Sequence, residues 1–272
     1  MVIHWSKDLL DGMAYVMLGR CERLEDLYIT GDFSPEQIRC DTEALAETKR
    51  LSQMFDESQQ IQNEQRAKHW KISFLNVRSM KSSNGHRKDV ACDNLLMDTD
   101  LFALGETWLE NDTKVDFDGY TAYHANFGTG KGIAGYSKMD IEAMPKTVSS
   151  QTYSAIVFKT SHFNIIFLYL SSNYKKPEVF ELLHGWIEDA VPTAVMGDVN
   201  EILDGVPSTP FSRKMSSLGF EQLIKEPTCT TGNLIDHIYI NAAMKSLGVH
   251  TKIDAAYYSD HDILSLCVKN QE

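Results

Sequence analysis

The feature that most constrains the fold is a series of short apolar runs, separated by turn residues, that fills the sequence after residue 70. Each run has the length of one β-strand and is rich in Ile, Val, Phe and Tyr, which favour strands. The runs are KISFLNV, DLFALGETW, IAGYSK, SAIVFK, FNIIFLYL, TAVMGDV, LIDHIYI and HDILSLCV. This part of the chain is therefore predicted to form β-sheets.

Helix-like segments lie between these strands, at Arg87 to Asp98, Pro177 to Ala190 and Pro210 to Leu218. The first follows a Ser/Asn/Gly turn, and the second begins with a proline, which suits the first turn of a helix. Strands interleaved with helices in this order favour a mixed sheet assembly covered by helices over an all-β barrel. The sequence thus predicts the α/β class.

Composition and charge narrow the function. With 43% hydrophobic and 24% charged residues, the 272-residue chain resembles an ordinary globular protein. A formal net charge of -12 argues against a protein that coats nucleic acid by bulk electrostatics, because neutralising phosphates needs clustered Lys and Arg. It does not exclude a nuclease, because bound cations reverse the local field around acidic residues.

Targeting signals are not evident in the sequence. No apolar run approaches the roughly 18 residues that span a membrane, and no signal-peptide pattern occurs. The five cysteines are scattered, with no CxxC pair and no grouping at zinc-ligand spacing. We therefore expect an intracellular, soluble, nuclear protein with reduced thiols and no membrane partner.

Two composition regimes divide the chain. Residues 34–67 are polar, rich in Glu, Gln and Arg, and have a loose helical spacing of apolar residues. We interpret them as a helical linker between a short segment, 1–33, and a domain at 68–272 that contains the predicted strands.

Polar side chains stand at or beside the ends of the predicted strands. Burying such groups without partners would cost several kcal/mol, so they need one another or a metal. The residues are Asn76, Glu106, Asp198, Asn200, Asp236, Asp260 and His261.

These residue types suit phosphodiester hydrolysis, which needs charge stabilisation on the phosphate oxygens and a positioned water. The carboxylates of Glu106 and Asp260 and the amide oxygen of Asn76 are hard ligands that suit Mg²⁺ or Mn²⁺. Asp198 with Asn200 is predicted to orient and deprotonate the water.

His261 is predicted to contact the phosphate. It needs an acidic partner that fixes its tautomer and favours its charged form, and Asp236 is the candidate.

The ordered motifs LNVRS, GETWL, GDVN, IDHIY and SDHD resemble those of the endonuclease/exonuclease/phosphatase superfamily, in particular the apurinic/apyrimidinic-like endonucleases of mobile elements. The resemblance covers nearly all of residues 70–268. It implies a DNase I-like, four-layered α/β sandwich, with two packed mixed β-sheets flanked by helices and the active site at one end of the sheets. It assigns the roles already given to Asn76, Glu106, Asp198, Asn200, Asp236, Asp260 and His261.

The resemblance adds Tyr169, in YLSSN, as a phosphate contact. The Asn often found three residues later in the family is Ser172 here, and Asn173 follows one step beyond. GDVN also replaces the commoner GDFN or GDLN, an exchange of one apolar residue.

A second resemblance lies in residues 14–31, AYVMLGRCERLEDLYITG, which are similar to the last conserved segment of Pif-type superfamily-1 helicases. Arg20 would match the arginine that reaches the γ-phosphate of the nucleotide. No GxxxxGK[ST] loop occurs, so ATP hydrolysis is not expected. A helicase tail before this nuclease type is the arrangement of Helitron-like transposons of the Helentron group, whose helicase or replication-initiator portion would be a partner.

Other polar features have plainer interpretations. GTGKGIAGYSK, residues 128–138, lacks Walker spacing and is predicted to be a hairpin or a loop entering a strand, from which Lys131 could face a nucleic-acid backbone. Arg78 and its neighbours either touch phosphates or form a solvated turn. Trp108 and Tyr123 are predicted to be packing residues.

The leading hypothesis is a Mg²⁺- or Mn²⁺-dependent endonuclease that acts on single- or double-stranded DNA in transposition. A phosphatase or phosphodiesterase acting on a small molecule or lipid headgroup is the alternative within the same fold, because specificity lies in loops. A catalytically inactive DNA-binding module is the alternative of another class. Such a module is expected to lack one or more of Glu106, Asp198, Asp260 and His261. All four are present, which argues against it.

Overall fold

A computed structural model gives the fold. It describes residues 2–4, 28–31, 46–47, 49–52, 69–81, 86–110, 112–188, 190–204 and 208–270. The chain divides into two compact units, Met1–Gln65 and Arg66–Glu272. Most of the segment interpreted as a helicase remnant, with Arg20, lies outside the described residues, as does much of the predicted linker.

In the first unit, strands β1 (Val2–His4) and β2 (Tyr28–Thr30) form a parallel pair. Residues 46, 47 and 49–52 are helical and exposed. Glu47 and Arg50, one turn apart, form an ion pair of 2.7 Å. The described residues of the predicted linker are therefore helical and exposed.

The second unit contains two six-stranded sheets, named sheet A and sheet B. In spatial order, sheet A consists of β13 (Val249–Asp254), β14 (Ile263–Lys269), β3 (His69–Asn76), β4 (Leu101–Gly105), β6 (Ile133–Ser137) and β5 (Thr121–Ala125). β3 and β4 are parallel, and the other neighbouring pairs are antiparallel, so the sheet is mixed.

Sheet B consists, in spatial order, of β11 (Glu221–Gln222), β12 (Asp236–Ile240), β10 (Thr193–Asp198), β9 (Asn164–Leu170), β8 (Tyr153–Lys159) and β7 (Lys146–Ser149). β9 and β10 are parallel, and the other pairs are antiparallel. Each sheet therefore has one central parallel pair, and polar residues follow the ends of both pairs.

The inner core lies between the sheets. Alternate residues of β3 and β9, such as Phe74 and Phe167, point into it, and these two rings stack at 6.5 Å between centroids. The other faces of the same strands are also buried, since Leu75 packs in the cluster of Val90 and Ile166 in that of Val179. Strands buried on both faces read as continuous apolar runs, which is the pattern seen in the sequence.

Helices form the outer layers. Among the described residues they are α1 (Arg87–Cys92), α2 (Asn94–Met97), α3 (Lys176–Trp186) and α4 (Pro210–Ser217). The short helix α5 (Ala242–Ser246) instead packs Met244 into the inner core. Val90 and Leu96 cover sheet A, whereas Leu183 and Phe211 cover sheet B. The predicted four-layered α/β sandwich is confirmed.

Two helix boundaries differ from prediction. The helix predicted over Arg87 to Asp98 is two short helices, because Asp93 adopts an extended conformation and its carboxylate accepts hydrogen bonds from the amides of Leu95 and Leu96. The helix predicted to run to Ala190 ends at Trp186, and Ile187 is extended. No helix among the described residues is long and apolar enough to cross a membrane.

Candidate active site

The predicted site residues meet where strands of the two sheets end. Asn76 is the last residue of β3, and its register partner on parallel β4 is Gly105, so Glu106 follows at the same edge. Asp198 is the last residue of β10 in sheet B, opposite Asp236 of β12 and Tyr169 of β9. Parallel neighbours end at a common edge, which is why residues distant in sequence meet here.

Asn76 joins the two sheets. Its side chain is fully buried, and Nδ2 donates to Asp198 Oδ2 at 2.8 Å and to Glu106 Oε1 at 3.1 Å. Its Oδ1 accepts from the backbone amide of Arg78 at 3.1 Å. The amide therefore fixes the positions of two carboxylates.

A tight turn after β10 positions Asp198 and Asn200. Gly197 has a φ of +151°, and a Cβ there would lie 1.8 Å from the carbonyl oxygen of Leu168, so only glycine fits. Asn200, at a φ of +52°, donates its backbone amide to Asp198 Oδ1 at 2.9 Å. Its Nδ2 donates to Leu170 O at 2.8 Å and to Asp198 Oδ2 at 3.2 Å. Both oxygens of Asp198 are thus held.

Asp236 and His261 form a buried pair. His261 Nδ1 lies 2.9 Å from Asp236 Oδ2 and 3.1 Å from Oδ1. Thr228 Oγ1 donates to the same Oδ2 at 2.7 Å. With Nδ1 donating to the carboxylate, Nε2 is the ring nitrogen left for a substrate.

The surroundings change the pKa of both catalytic candidates. Burial lowers the pKa of His261, but the hydrogen bond to Asp236 and the charges of Asp236, Asp198 and Asp260 outweigh it and raise that pKa to about 9. Burial, and then the charge of Asp236, raise the pKa of Asp198 well above its ordinary value. His261 is therefore cationic at neutral pH, and Asp198 is a stronger base than a solvated carboxylate.

Glu106 lies at the open side of the cluster. Its φ is +49°, a conformation that non-glycine residues rarely adopt. Trp108, which was predicted to be a packing residue, donates its indole Nε1–H to Glu106 Oε2 at 3.1 Å. The two carboxylate oxygens of Glu106 therefore have different partners, Asn76 and Trp108.

Asp260 pairs with Arg78. Asp260 Oδ2 accepts from Arg78 Nη1 at 2.7 Å, and Asp260 Oδ1 is buried with no hydrogen-bond partner among the described residues. Ser259 positions this loop, donating its hydroxyl to Asn76 O at 2.7 Å and accepting from the His261 amide at 3.1 Å.

Tyr169 is buried beside Asp198, and its hydroxyl donates to Gly130 O at 3.1 Å. Burial, with the charges of Glu106 and Asp198, raises its pKa, so the phenol stays neutral. Gly130 belongs to the loop between β5 and β6, which are antiparallel, so the predicted hairpin is confirmed. Asn173 is exposed and bonds to Ser171.

The donor set fits a hard divalent cation. Glu106 and Asp260 supply carboxylate oxygens, and the unpartnered, buried Asp260 Oδ1 is an acceptor that a cation would satisfy. Asp198, Asp236 and His261 also bring ligand atoms within 4.8 Å of one another. We favour the Glu106–Asp260 side, because Nδ1 of His261 is bonded to Asp236 and the raised pKa of the ring keeps Nε2 protonated, so the ring offers no lone pair to an ion.

Three contributors were missed or left undecided by sequence reasoning. Thr228 was missed, since an isolated Thr before a predicted strand carries no signal. Ser259 was visible only as part of the SDHD motif. For Arg78 the sequence allows both a phosphate contact and a solvated turn, because its partner Asp260 is 182 positions away.

No protein-family model matches the sequence, and a search of curated proteins gives no match. Solved structures do match. An AP endonuclease from Archaeoglobus fulgidus has a TM-score of 0.60 at 17% identity, over 73% of this chain and 99% of that one.

The endonuclease domain of TRAS1, a telomere-specific non-LTR retrotransposon, has a TM-score of 0.54 at 13% identity, over 75% of this chain and 100% of that one. The 3' phosphatase NExo from Neisseria, bound to a product DNA hairpin, has a TM-score of 0.56 at 16% identity, over 72% and 98%. At these identities the shared property is the architecture: this chain has the DNase I-like fold of endonuclease/exonuclease/phosphatase proteins.

Proposed function

We propose that this chain is a divalent-metal-dependent endonuclease that hydrolyses phosphodiester bonds of DNA. The observation that carries the proposal is one cluster with three chemically different parts. It combines the cationic His261–Asp236 pair, the buried Asp198 carboxylate of raised pKa, and the Glu106–Asp260 edge with its unpartnered oxygen. Phosphodiester hydrolysis needs a phosphate contact, a water activator and a cation position.

In this proposal Asp198 accepts a proton from the attacking water. Asn76 and Asn200 hold both of its oxygens, so the carboxylate needs no reorientation when water binds. A raised pKa brings a carboxylic acid nearer to the operating pH, where a general base is most effective. The charge of a nearby cation would favour the ionised form that accepts the proton.

His261 contacts a non-bridging phosphate oxygen through Nε2. Its raised pKa keeps the ring charged, and Asp236 and Thr228 keep it oriented. A charge-assisted hydrogen bond from a desolvated imidazolium is stronger than one between neutral groups. Tyr169, as a neutral phenol, would provide a second donor to the phosphate by turning its hydroxyl away from Gly130 O.

Glu106 and Asp260 would hold Mg²⁺ or Mn²⁺, with the Asn76 amide beside them. The ion would polarise the phosphate and neutralise the charge that develops on its oxygens.

DNA is the substrate that the neighbours favour. Two of the matched structures are described as endonucleases, and the third was solved with a DNA product. A nuclear location would follow from a DNA substrate, and imaging of a tagged full chain in cells tests it. Exclusion from nuclei would contradict that part of the proposal.

We also propose that the nuclease serves a Helitron-type mobile element. Residues 1–33 would then be a helicase remnant, 34–67 a linker and 68–272 the nuclease. The support is the resemblance of residues 14–31 to a helicase segment. A pull-down with the helicase portion of such an element tests this, and failure of the full chain to retain it would count against the partner.

The deciding experiment is a nicking assay on supercoiled plasmid and on single-stranded oligonucleotides, with Mg²⁺, Mn²⁺ or EDTA. The wild-type chain should cut in either metal but not in EDTA, and Asp198→Asn should lower the cutting rate about 10³-fold. Asp140→Asn is the matched control, since Asp140 is exposed and follows the end of β6 opposite to the site.

The two alternative functions, a small-molecule hydrolase and an inactive DNA-binding module, predict different results. Metal-dependent release of phosphate from a small phosphodiester, with no cutting of any nucleic acid, would favour the small-molecule hydrolase. Binding of DNA without hydrolysis of any phosphodiester would favour the inactive module.

A further inference from the structure

A cavity of about 340 Å³ opens beside the open edge of the site. Its wall contains Asp260, the Arg78 that pairs with it, and three aromatic side chains that have no direct role in the proposed hydrolysis. The aromatic residues are His86, Trp108 and Tyr258. A cavity of this size is at the lower end of the range for small-ligand sites, so it suits one ring system rather than a larger ligand.

The aromatic walls are held in place before any ligand binds. The Tyr258 hydroxyl donates to Asp93 Oδ2 at 2.9 Å, and the His86 ring lies 5.7 Å from the Tyr258 ring. Trp108 is fixed by its indole bond to Glu106 Oε2 at 3.1 Å. Rings that are already oriented lose little conformational entropy when a flat ligand stacks on them.

We propose that this cavity binds an unpaired nucleobase next to the scissile phosphate. The inference rests on the proposed nuclease function and names its substrate class: single-stranded or locally unpaired DNA. Arg78 and Asp260 belong both to the cavity and to the open edge of the site. A base stacked here therefore carries its own phosphate to Glu106 and Asp260.

A paired base cannot enter such a cavity without leaving its stack, which costs free energy that an unpaired base does not lose. Stacking on aromatic side chains tolerates every base, because each has a π-face. The cavity thus gives a preference for unpaired strands without a sequence preference.

The test compares two oligomers of equal length and charge: oligo(dT), and a chain of tetrahydrofuran abasic residues that has the same backbone without bases. Binding is measured by fluorescence anisotropy, with Asp198→Asn in every protein so that no strand is cut. The parent should bind oligo(dT) about tenfold more tightly than the abasic chain. Tyr258→Leu should remove this preference, whereas Tyr258→Phe should keep it.

Tyr257→Ser is the matched control, because Tyr257 is 77% exposed, contacts the Tyr258 ring and does not line the cavity. Tyr257→Ser should keep the preference for oligo(dT) over the abasic chain. If this variant loses the preference, the base does not bind in the cavity. His86→Ala, which should reduce the preference severalfold, decides the matter if Tyr258→Leu unfolds.

The binding test distinguishes failure of the base-binding cavity from failure of the nuclease function. Equal binding of both oligomers by the parent would overturn the base-binding cavity while leaving the nuclease intact. Binding of neither oligomer, by a folded protein that also cuts no DNA, would overturn the nuclease and the cavity with it.

Discussion

The site has two halves that differ in burial. The buried half consists of Asp198, Asp236 and His261, whose exposures are 1%, 0% and 7%. The open half consists of Glu106 and Asp260, and the side chain of Asp260 is 35% exposed and paired with an Arg78 side chain that is 54% exposed. In the buried half every carboxylate has a fixed hydrogen-bond partner, whereas in the open half Asp260 Oδ1 has none within the described part of the chain.

This difference indicates how the proposed chemistry is divided. Low dielectric strengthens the interactions of charged groups, so the buried half shifts pKa values and suits proton transfer and phosphate binding. Groups near solvent exchange partners at low cost, so the open half suits an ion and a substrate that come and go. Variants in the two halves should therefore fail in different ways.

The largest effect is expected for Asp198→Asn, compared with Glu106→Gln. The first should lower the cleavage rate about 10³-fold at every metal concentration, because the general base is lost. The second should mainly raise the metal concentration needed for half-maximal rate, by about tenfold, because one ion ligand is lost. Plasmid nicking over a Mn²⁺ titration measures both.

Asp140→Asn should match the wild type throughout that titration. Restoration of Asp198→Asn activity by added metal would contradict the division, because it would place Asp198 among the ion ligands.

Asp236→Asn should produce the next largest effect. Without the carboxylate, the two largest effects that raise the pKa of His261 are lost while burial still lowers it, so the pKa falls below about 9. The alkaline limb of the pH profile of kcat/KM should move down accordingly, and the rate at pH 7.5 should fall roughly 10²-fold. If the alkaline limb of the kcat/KM profile stays near pH 9 in Asp236→Asn, a group other than His261 determines that limb.

The free energy of unfolding should also depend on pH, because folding raises the pKa of His261. A folded pKa of about 9, against an ordinary value of 6.5, corresponds to about 3 kcal/mol of stabilisation of the charged ring. Because the folded pKa is raised, this stabilisation is complete below about pH 6.5 and is lost as the pH rises through about 9. Urea unfolding of the wild type and His261→Gln, from pH 6 to 10, should show their difference in unfolding free energy shrinking with pH.

His162→Gln, at an exposed histidine, serves as the control for that series. A difference between wild type and His261→Gln that stays constant over the whole pH range would mean that folding does not raise the pKa of His261.

The sequence predicted the central strands well, because β3, β4, β9 and β10 are largely buried on both faces and are mostly apolar in sequence. It did not reveal the edge strands, such as β13 with VHTKID, where polar and apolar residues alternate at a half-exposed surface. The break at Asp93 was also hidden, because an aspartate inside a helical pattern shows no cap until its backbone is known.

The sequence also predicted that the polar residues at the strand ends belong to a site. A carboxylate at the end of a buried strand is costly unless it has a partner, so its type and position both carry information. The partners themselves were less predictable. Trp108 was assigned to packing, yet it donates to Glu106, and Thr228 gave no signal although it holds Asp236. Such contacts depend on loop geometry, which the local sequence does not encode.

The smallest effect is expected in the open half, at the ion pair between Arg78 and Asp260. Arg78 occupies Asp260 Oδ2 at 2.7 Å and competes with any ion for that carboxylate. Exposed pairs contribute up to about 1 kcal/mol, so Arg78→Ala should tighten Mn²⁺ binding by about two- to fivefold in isothermal titration. Lys81→Ala is the matched control, since Lys81 forms an equally short, exposed pair with Glu110. It should leave the dissociation constant unchanged. If Arg78→Ala also leaves it unchanged, Asp260 does not hold the ion, and the proposed metal position moves to Glu106 and its buried neighbours.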